Sequence, residues 1–299
     1  MRKHALDSPL SYYAIFLTVR YLPVRLCHWL GKMVVLLVYA FSDRDRDGLM
    51  NNLSLALNRP PTDPLIRRTV RGIFLNYGHY MVDFFLIPQL PPSKVQKFFA
   101  DIQGENVLKE ALARGKGAIF VSAHVGNWEI GGSLLRLMNY PLAVVAISHN
   151  AGATNTLVNH LRRHRGTDII EMNPLSPFSG LQILKHLRMN KIVAMVGDKD
   201  FFGRGKSVTY FGEKVDFPIG PAMVAMKSGA PLIPVFIIKQ PDGRYVGILE
   251  EAIPVSDQGN EEMVLDTTLN KLARVFESYI RRYPDQWYCP DPISKGEMP

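Results

Sequence analysis

Up to about residue 92 the apolar positions of this chain come in long stretches, and beyond it in short runs divided by turn residues. Residues 10–41 form the most apolar stretch of the first third, yet Arg20, Arg25, His28 and Lys32 interrupt it before any uncharged run reaches the roughly 18 residues of a simple membrane span. Its aromatic residues Tyr12, Tyr13, Phe16, Tyr21 and Trp29, mixed with cations, suit two short helices broken near Pro23 and lying in the headgroup layer of a bilayer. A pair of core helices, or a tilted span with snorkelling arginines, gives the same pattern. Residues 48–57 and 65–85 follow as amphipathic helices, separated by Arg-Pro-Pro-Thr-Asp-Pro, which cannot be helical.

After a Pro-rich link the rhythm shortens. Residues 118–123, 142–147, 168–171, 191–196, 231–238 and 245–249 read as strands, with helical patterns between most of them. Strand, helix, strand at this spacing predicts an α/β fold with a mixed, mostly parallel sheet flanked by helices. Leu265, Leu269, Leu272, Phe276 and Tyr279 then mark one face of a long helix that Pro284 ends. The expected organisation is a helical, membrane-associated region over residues 1–92 and an α/β unit over 93–299, continuous in one globule.

Composition narrows the class. With 299 residues, 47 % of them apolar, the chain can bury a sizeable core. A formal charge of +8 and a pI near 9.4 favour an anionic partner: an acidic protein, a membrane surface or nucleic acid. The basic cluster from Arg162 to Arg165 lacks the interleaved aromatics of nucleic-acid binding, and Gly166 after it is a helix stop whose dipole favours cations. Cys27 and Cys289 stand far apart, so neither a disulfide framework nor a zinc site is indicated.

The candidate chemistry gathers at residues 118–130. His124 follows an apolar strand, and Gly126-Asn127 turns the chain toward a helix beginning near Trp128. With Asn127 as N-cap, the Glu129 carboxylate sits at the positive helix end and can accept from an imidazole N–H, leaving the other nitrogen of His124 free to take a proton. A structural loop histidine explains the pair alone equally well. Asp198, just past the carboxyl end of the 191–196 strand, lies where ligands bind in α/β sheets, and also where a buried Asp caps a loop. Gly220-Pro221 opens a helix whose free backbone N–H groups can face an oxyanion. Gly203-Arg204-Gly205-Lys206-Ser207 is no phosphate loop, because Asp200 stands where the first glycine belongs and a strand follows. No Gly-x-Ser-x-Gly elbow occurs, which argues against a serine hydrolase.

Four blocks in order, SAHVGNWE, VGDKD, FPIGPAMVAMKSGAPLIPVF and YPDQWY, make the chain resemble the bacterial lipid A biosynthesis acyltransferases, the late lauroyl and myristoyl transferases, from about Leu10 to Tyr288. The resemblance implies a glycerolipid-acyltransferase-like catalytic unit at the cytoplasmic face of a bacterial inner membrane. It implies an acyl-acyl carrier protein as donor, a hydroxyacyl chain of a lipid A precursor as acceptor, His124 and Glu129 as catalytic pair, and no metal or organic cofactor. Arg163 best matches a family arginine near Gly166, and Asn127, Asp198 and Gly220 fall in the matching blocks as candidate substrate contacts. Lys199 departs from the polar residue, often Gln, at that place. Ile219, Pro221 and Ala222 replace residues of the glycerol-phosphate acyltransferase motif Pro-Glu-Gly-Thr-Arg, which favours a saccharolipid acceptor. Blocks such as VGDKD also resemble mycobacterial mannoside acyltransferases, so another membrane glycolipid or aminolipid is the rival acceptor, and a peripheral lipid-binding protein without catalysis the rival class.

Overall fold

The computed structural model describes residues 9–147, 152–164, 166–172, 178–255 and 260–293. Four helices lead: α1 (Pro9–Tyr21), α2 (Val24–Phe41), α3 (Asp43–Leu57) and α4 (Pro64–Leu86). Asp63 caps α4 by accepting from the Leu65 N–H at 2.8 Å, with Pro64 at the first helical position, so the proline-rich break and the helix start are one device. The short α5 (Pro92–Val95) leads to β1 (Phe99–Gln103), α6 (Glu105–Ala113) and β2 (Ala118–Ser122). A 3₁₀ turn at Trp128–Ile130 precedes α7 (Gly131–Leu137), β3 (Leu142–Ile147), α8 (Gly152–His164), β4 (Asp168–Met172), α9 (Phe178–Arg188) and β5 (Ile192–Val196). The hairpin β6 (Lys206–Tyr210) and β7 (Glu213–Phe217), α10 (Gly220–Ser228), β8 (Leu232–Lys239), β9 (Tyr245–Leu249) and α11 (Glu261–Arg282) complete the order.

Seven strands form one sheet in the order β1-β9-β8-β2-β5-β3-β4. Every neighbouring pair is parallel except β8 and β9, so the expected mixed, mostly parallel sheet is present. Its two faces follow from the two-residue period of a strand. On β2, Ile119 and Val121 join a core with Leu53 of α3, Phe74 of α4 and Phe276 of α11, while Ala118 and Phe120 join another with Leu108 of α6 and Leu135 of α7. Helices α3 and α4 thus share the core of the sheet, while α1 packs with the far end of α4 and with α8.

Helix α2 is apolar enough over 18 residues, about 27 Å of rise, to cross a membrane by length and composition alone. It is fastened along one side to α4. A Cβ at Gly31 would stand 3.2 Å from the Gly78 carbonyl oxygen, and one at Gly78 would stand 3.1 Å from that of Gly31, so the two backbones touch. The opposite side exposes Trp29, Val34, Leu37 and Phe41, with Arg25 and Lys32 exposed among them.

Candidate active site

Two neighbouring parallel strands bring His124 and Asp198 together. In the β2/β5 pair Ser122 lies opposite Val196, so two residues further on His124 and Asp198 lie side by side beyond the carboxyl edge. The Asp198 side chain is 3 % exposed and that of His124 21 %. One Asp198 carboxylate oxygen stands 2.6 Å from His124 Nδ1 and the other accepts the His124 backbone N–H at 2.8 Å. Burial alone would raise the Asp198 pKa, but the charge and hydrogen bonds of His124 outweigh it and hold the carboxyl below its ordinary value of 3.8. An ionised Asp198 accepts a hydrogen bond from Nδ1–H, which leaves Nε2 with its lone pair.

The turn after His124 depends on glycine. Gly126 has φ +68°, and a Cβ there would meet the Ile237 carbonyl oxygen at 2.1 Å. Asn127 does not cap the following turn with its side chain. It is buried, its amide directed at the Tyr80 carbonyl and the Tyr245 hydroxyl over 3.5 and 3.4 Å. Glu129 lies in the 3₁₀ turn and pairs with Arg162 of α8, at 2.5 Å from Nη2 and 3.3 Å from Nε. The carboxylate on the His124 imidazole is therefore Asp198, and the carboxylate five residues after His124 holds an arginine.

The structure brings Arg162, and not Arg163, to the site. Leu157, Val158 and Leu161 are the buried face of α8, Arg162 flanks it four residues after Val158, and Arg163 points outward, exposed. Gly220 begins α10 and lines neither cavity described below, although Pro221 of the same turn packs close to Gly197, beside Asp198. Lys199 forms an ion pair with Asp291 and lies 5.1 Å over the Phe201 ring.

Two cavities meet at Trp128, Glu129 and Arg162. The outer one, about 270 Å³, is lined by His124, Asn127, Lys199 and Asp291 at its polar end and by Tyr12, Tyr77, Phe84 and Tyr288 elsewhere. The inner one, about 140 Å³, lies between the sheet and α7 and is lined by Phe120, Leu135, Val144, Ala194, Val235 and Leu249. Among the described residues one cluster has a metal-ligand composition, His28, His79 and Asp83 between α2 and α4. Its imidazoles are stacked at 4.0 Å and 9° from parallel. Their in-plane lone pairs run side by side and do not converge on an ion at the roughly 2.1 Å a zinc–nitrogen bond needs. Each Nε2 instead faces Asp83, at 2.8 Å from His28 and 3.3 Å from His79, while the Tyr245 hydroxyl donates to it at 2.5 Å.

An imidazole with a buried carboxylate on one nitrogen stands at the strand edge where an apolar chamber opens, the arrangement of a base beside a site for an apolar substrate. The comparisons give the family: the model for the bacterial lipid A biosynthesis acyltransferases matches residues 5–289, and this chain belongs to that family. It is 29 % identical over 253 residues to the phosphatidylinositol mannoside acyltransferase of Mycobacterium tuberculosis, covering 82 % of this chain and 75 % of that protein. The enzyme of the same name from Mycolicibacterium smegmatis is 27 % identical over 260 residues, 85 % of this chain and 81 % of its own length. The lipid A biosynthesis palmitoleoyltransferase of Escherichia coli is 23 % identical over 269 residues, 89 % and 84 % of the two chains. The protein is an O-acyltransferase.

Proposed function

We propose that the protein transfers a fatty acyl group from an acyl-acyl carrier protein thioester to a hydroxyl of a membrane glycolipid, with His124 as general base and Asp198 as the carboxylate that orients it. The observation that carries this reading is the 2.6 Å contact of Asp198 with His124 Nδ1 in a cavity that adjoins an apolar chamber. The acceptor hydroxyl gives its proton to Nε2, its oxygen attacks the thioester carbonyl, and the tetrahedral oxyanion collapses with loss of the thiolate, which takes the proton back from the imidazolium. Arg162, held by Glu129, supplies positive charge at the junction of the cavities. The acyl chain occupies the inner chamber and the acceptor headgroup the outer pocket. These steps call for no metal or organic cofactor.

A lipid A precursor is the acceptor implied by the family, with lauroyl or myristoyl as the transferred chain. A mannosylated phospholipid is the second reading, favoured by the 29 % identity to the mannoside enzyme against 23 % to the lipid A enzyme. Membrane attachment at the cytoplasmic face fits the exposed Trp29, Leu37 and Phe41 beside Arg25 and Lys32. Because α2 is packed onto α4, which belongs to the sheet's own core, lying in the interface suits it better than crossing.

The test is acyl transfer from radiolabelled acyl carrier protein thioesters to lipid A precursor and to phosphatidylinositol mannoside, each offered in anionic vesicles. Label in the lipid A precursor supports the first acceptor, label in the mannoside the second. Label in neither, with an active acyl-coenzyme A control, would mean that the donor is misassigned.

A further inference from the structure

The backbone that carries His124 is held by the last segment of the described chain. The Tyr288 N–H donates to the His124 carbonyl at 3.1 Å, Val125 and Trp287 form an antiparallel bridge, and the Gly126 N–H donates to the Gln286 carbonyl at 2.9 Å. Residues 286–288 therefore act as a short strand along residues 124–126. The buried side chain of Gln286 ties this strip to the sheet, beside the buried Trp287 and the stack of Tyr288 on Tyr77. Its Oε1 accepts from the Tyr80 hydroxyl at 2.7 Å and from the Lys239 N–H at 3.0 Å, while its Nε2 donates to the Lys239 carbonyl at 2.8 Å. The strip is thereby tied to the end of β8 and to α4 at once.

We infer that Gln286 is a positioning residue for the acyl transfer proposed above. By clamping the end of β8 with its amide and Gly126 with its own carbonyl, it sets the height of the His124 backbone over the sheet, and with it the reach of Nε2 toward the acceptor oxygen. Asp198 fixes the direction of the imidazole and holds the His124 N–H, and Gln286 adds the hold on the following residues that sets where the His124 Cα stands. The inference rests on the reading of His124 as the base. Only a side chain with one acceptor and one donor in amide geometry serves both Lys239 backbone groups. A leucine of similar size serves neither. An ionised glutamate turns a second acceptor oxygen against the Lys239 carbonyl, whereas a protonated glutamate restores a donor there.

The experiment compares the unaltered full-length protein with Gln286→Leu, Gln286→Glu and His124→Ala in the transfer assay, with the folded fraction measured by circular dichroism. Misplacement on the ångström scale costs on the order of 10²-fold in rate. Gln286→Leu should lower kcat per folded molecule by about 10- to 100-fold with the donor KM unchanged. Burial raises the pKa of a glutamate at this place, so Gln286→Glu should recover toward the unaltered enzyme as pH falls toward 5 and fall away from it toward pH 8. Should Gln286→Leu fail to fold, the pH profile of Gln286→Glu decides alone. A Gln286→Glu profile parallel to that of the unaltered enzyme, or lost activity that only tracks a lost folded fraction, overturns the inference. Undiminished transfer by His124→Ala overturns instead the reading of the site on which it stands.

Discussion

The outer pocket and the inner chamber share the wall of Trp128, Glu129 and Arg162 but are built from different parts of the fold. Polar groups of the outer pocket stand on loops past the strand ends and on the closing segment. The inner chamber is bounded by alternate side chains of β2, β3, β5, β8 and β9, apolar because that face of the sheet packs on α6 and α7. Under the proposed function, this division puts bond making and chain selection on separate residues. A substitution in one should leave the other largely intact.

The largest effect belongs to the outer pocket. General acid–base groups contribute about 10² to 10⁴-fold, roughly 3 to 5 kcal/mol of barrier, so His124→Ala should lose that much kcat while binding to lipid vesicles is kept. Transfer rate and vesicle co-sedimentation on the same preparation check it. A smaller effect, on preference and not on chemistry, is expected in the inner chamber. Ala194→Leu adds bulk at its wall, and each buried methylene is worth about 0.8 kcal/mol. The ratio of short-chain to long-chain transfer should therefore rise roughly tenfold, read by competition between two acyl thioesters. An unchanged ratio with depressed kcat would break the division.

The smallest effect on activity lies behind the outer pocket. Burial lowers the His79 pKa from 6.5 to about 4, against the pull of Asp83. A histidine that resists protonation in the folded state binds its proton first in the unfolded one, so stability falls as pH drops from about 6.5 to about 4 and flattens below. His79→Gln keeps a donor for Asp83 but does not titrate. It should remove an acid-side loss on the order of 3 kcal/mol, seen as a flatter dependence of the denaturant midpoint on pH between 7 and 4.

The strands and the strand-end place of His124 are legible in the sequence because a buried five-residue run followed by a turn has few alternatives. Asp198 is legible as a strand-end residue, but its contact with His124 is not, since that requires knowing that β2 and β5 are neighbours. Each strand is followed by one small residue and then by the reactive one, Ala123-His124 and Gly197-Asp198, and in register these meet. Glu129 satisfies a spacing rule that assumes an α-helix starting at Asn127. The chain forms a 3₁₀ turn there and α7 starts at Gly131, which leaves Glu129 to Arg162. The choice between Arg162 and Arg163 was available from the phase of Leu157, Val158 and Leu161. The role of Gln286 was not, because each of its partners lies at least 47 residues away or is reached through its backbone.

The central claim is that Asp198, and not Glu129, orients the base. It is tested most directly by kcat for Asp198→Asn beside Glu129→Gln. An asparagine at 198 can keep the bond from the His124 backbone while donating to Nδ1, which puts the proton on Nε2 and blocks the base. The account predicts a loss of about 10² to 10⁴-fold for Asp198→Asn and less than about 10-fold for Glu129→Gln. The reverse order would contradict it and return the orienting role to Glu129.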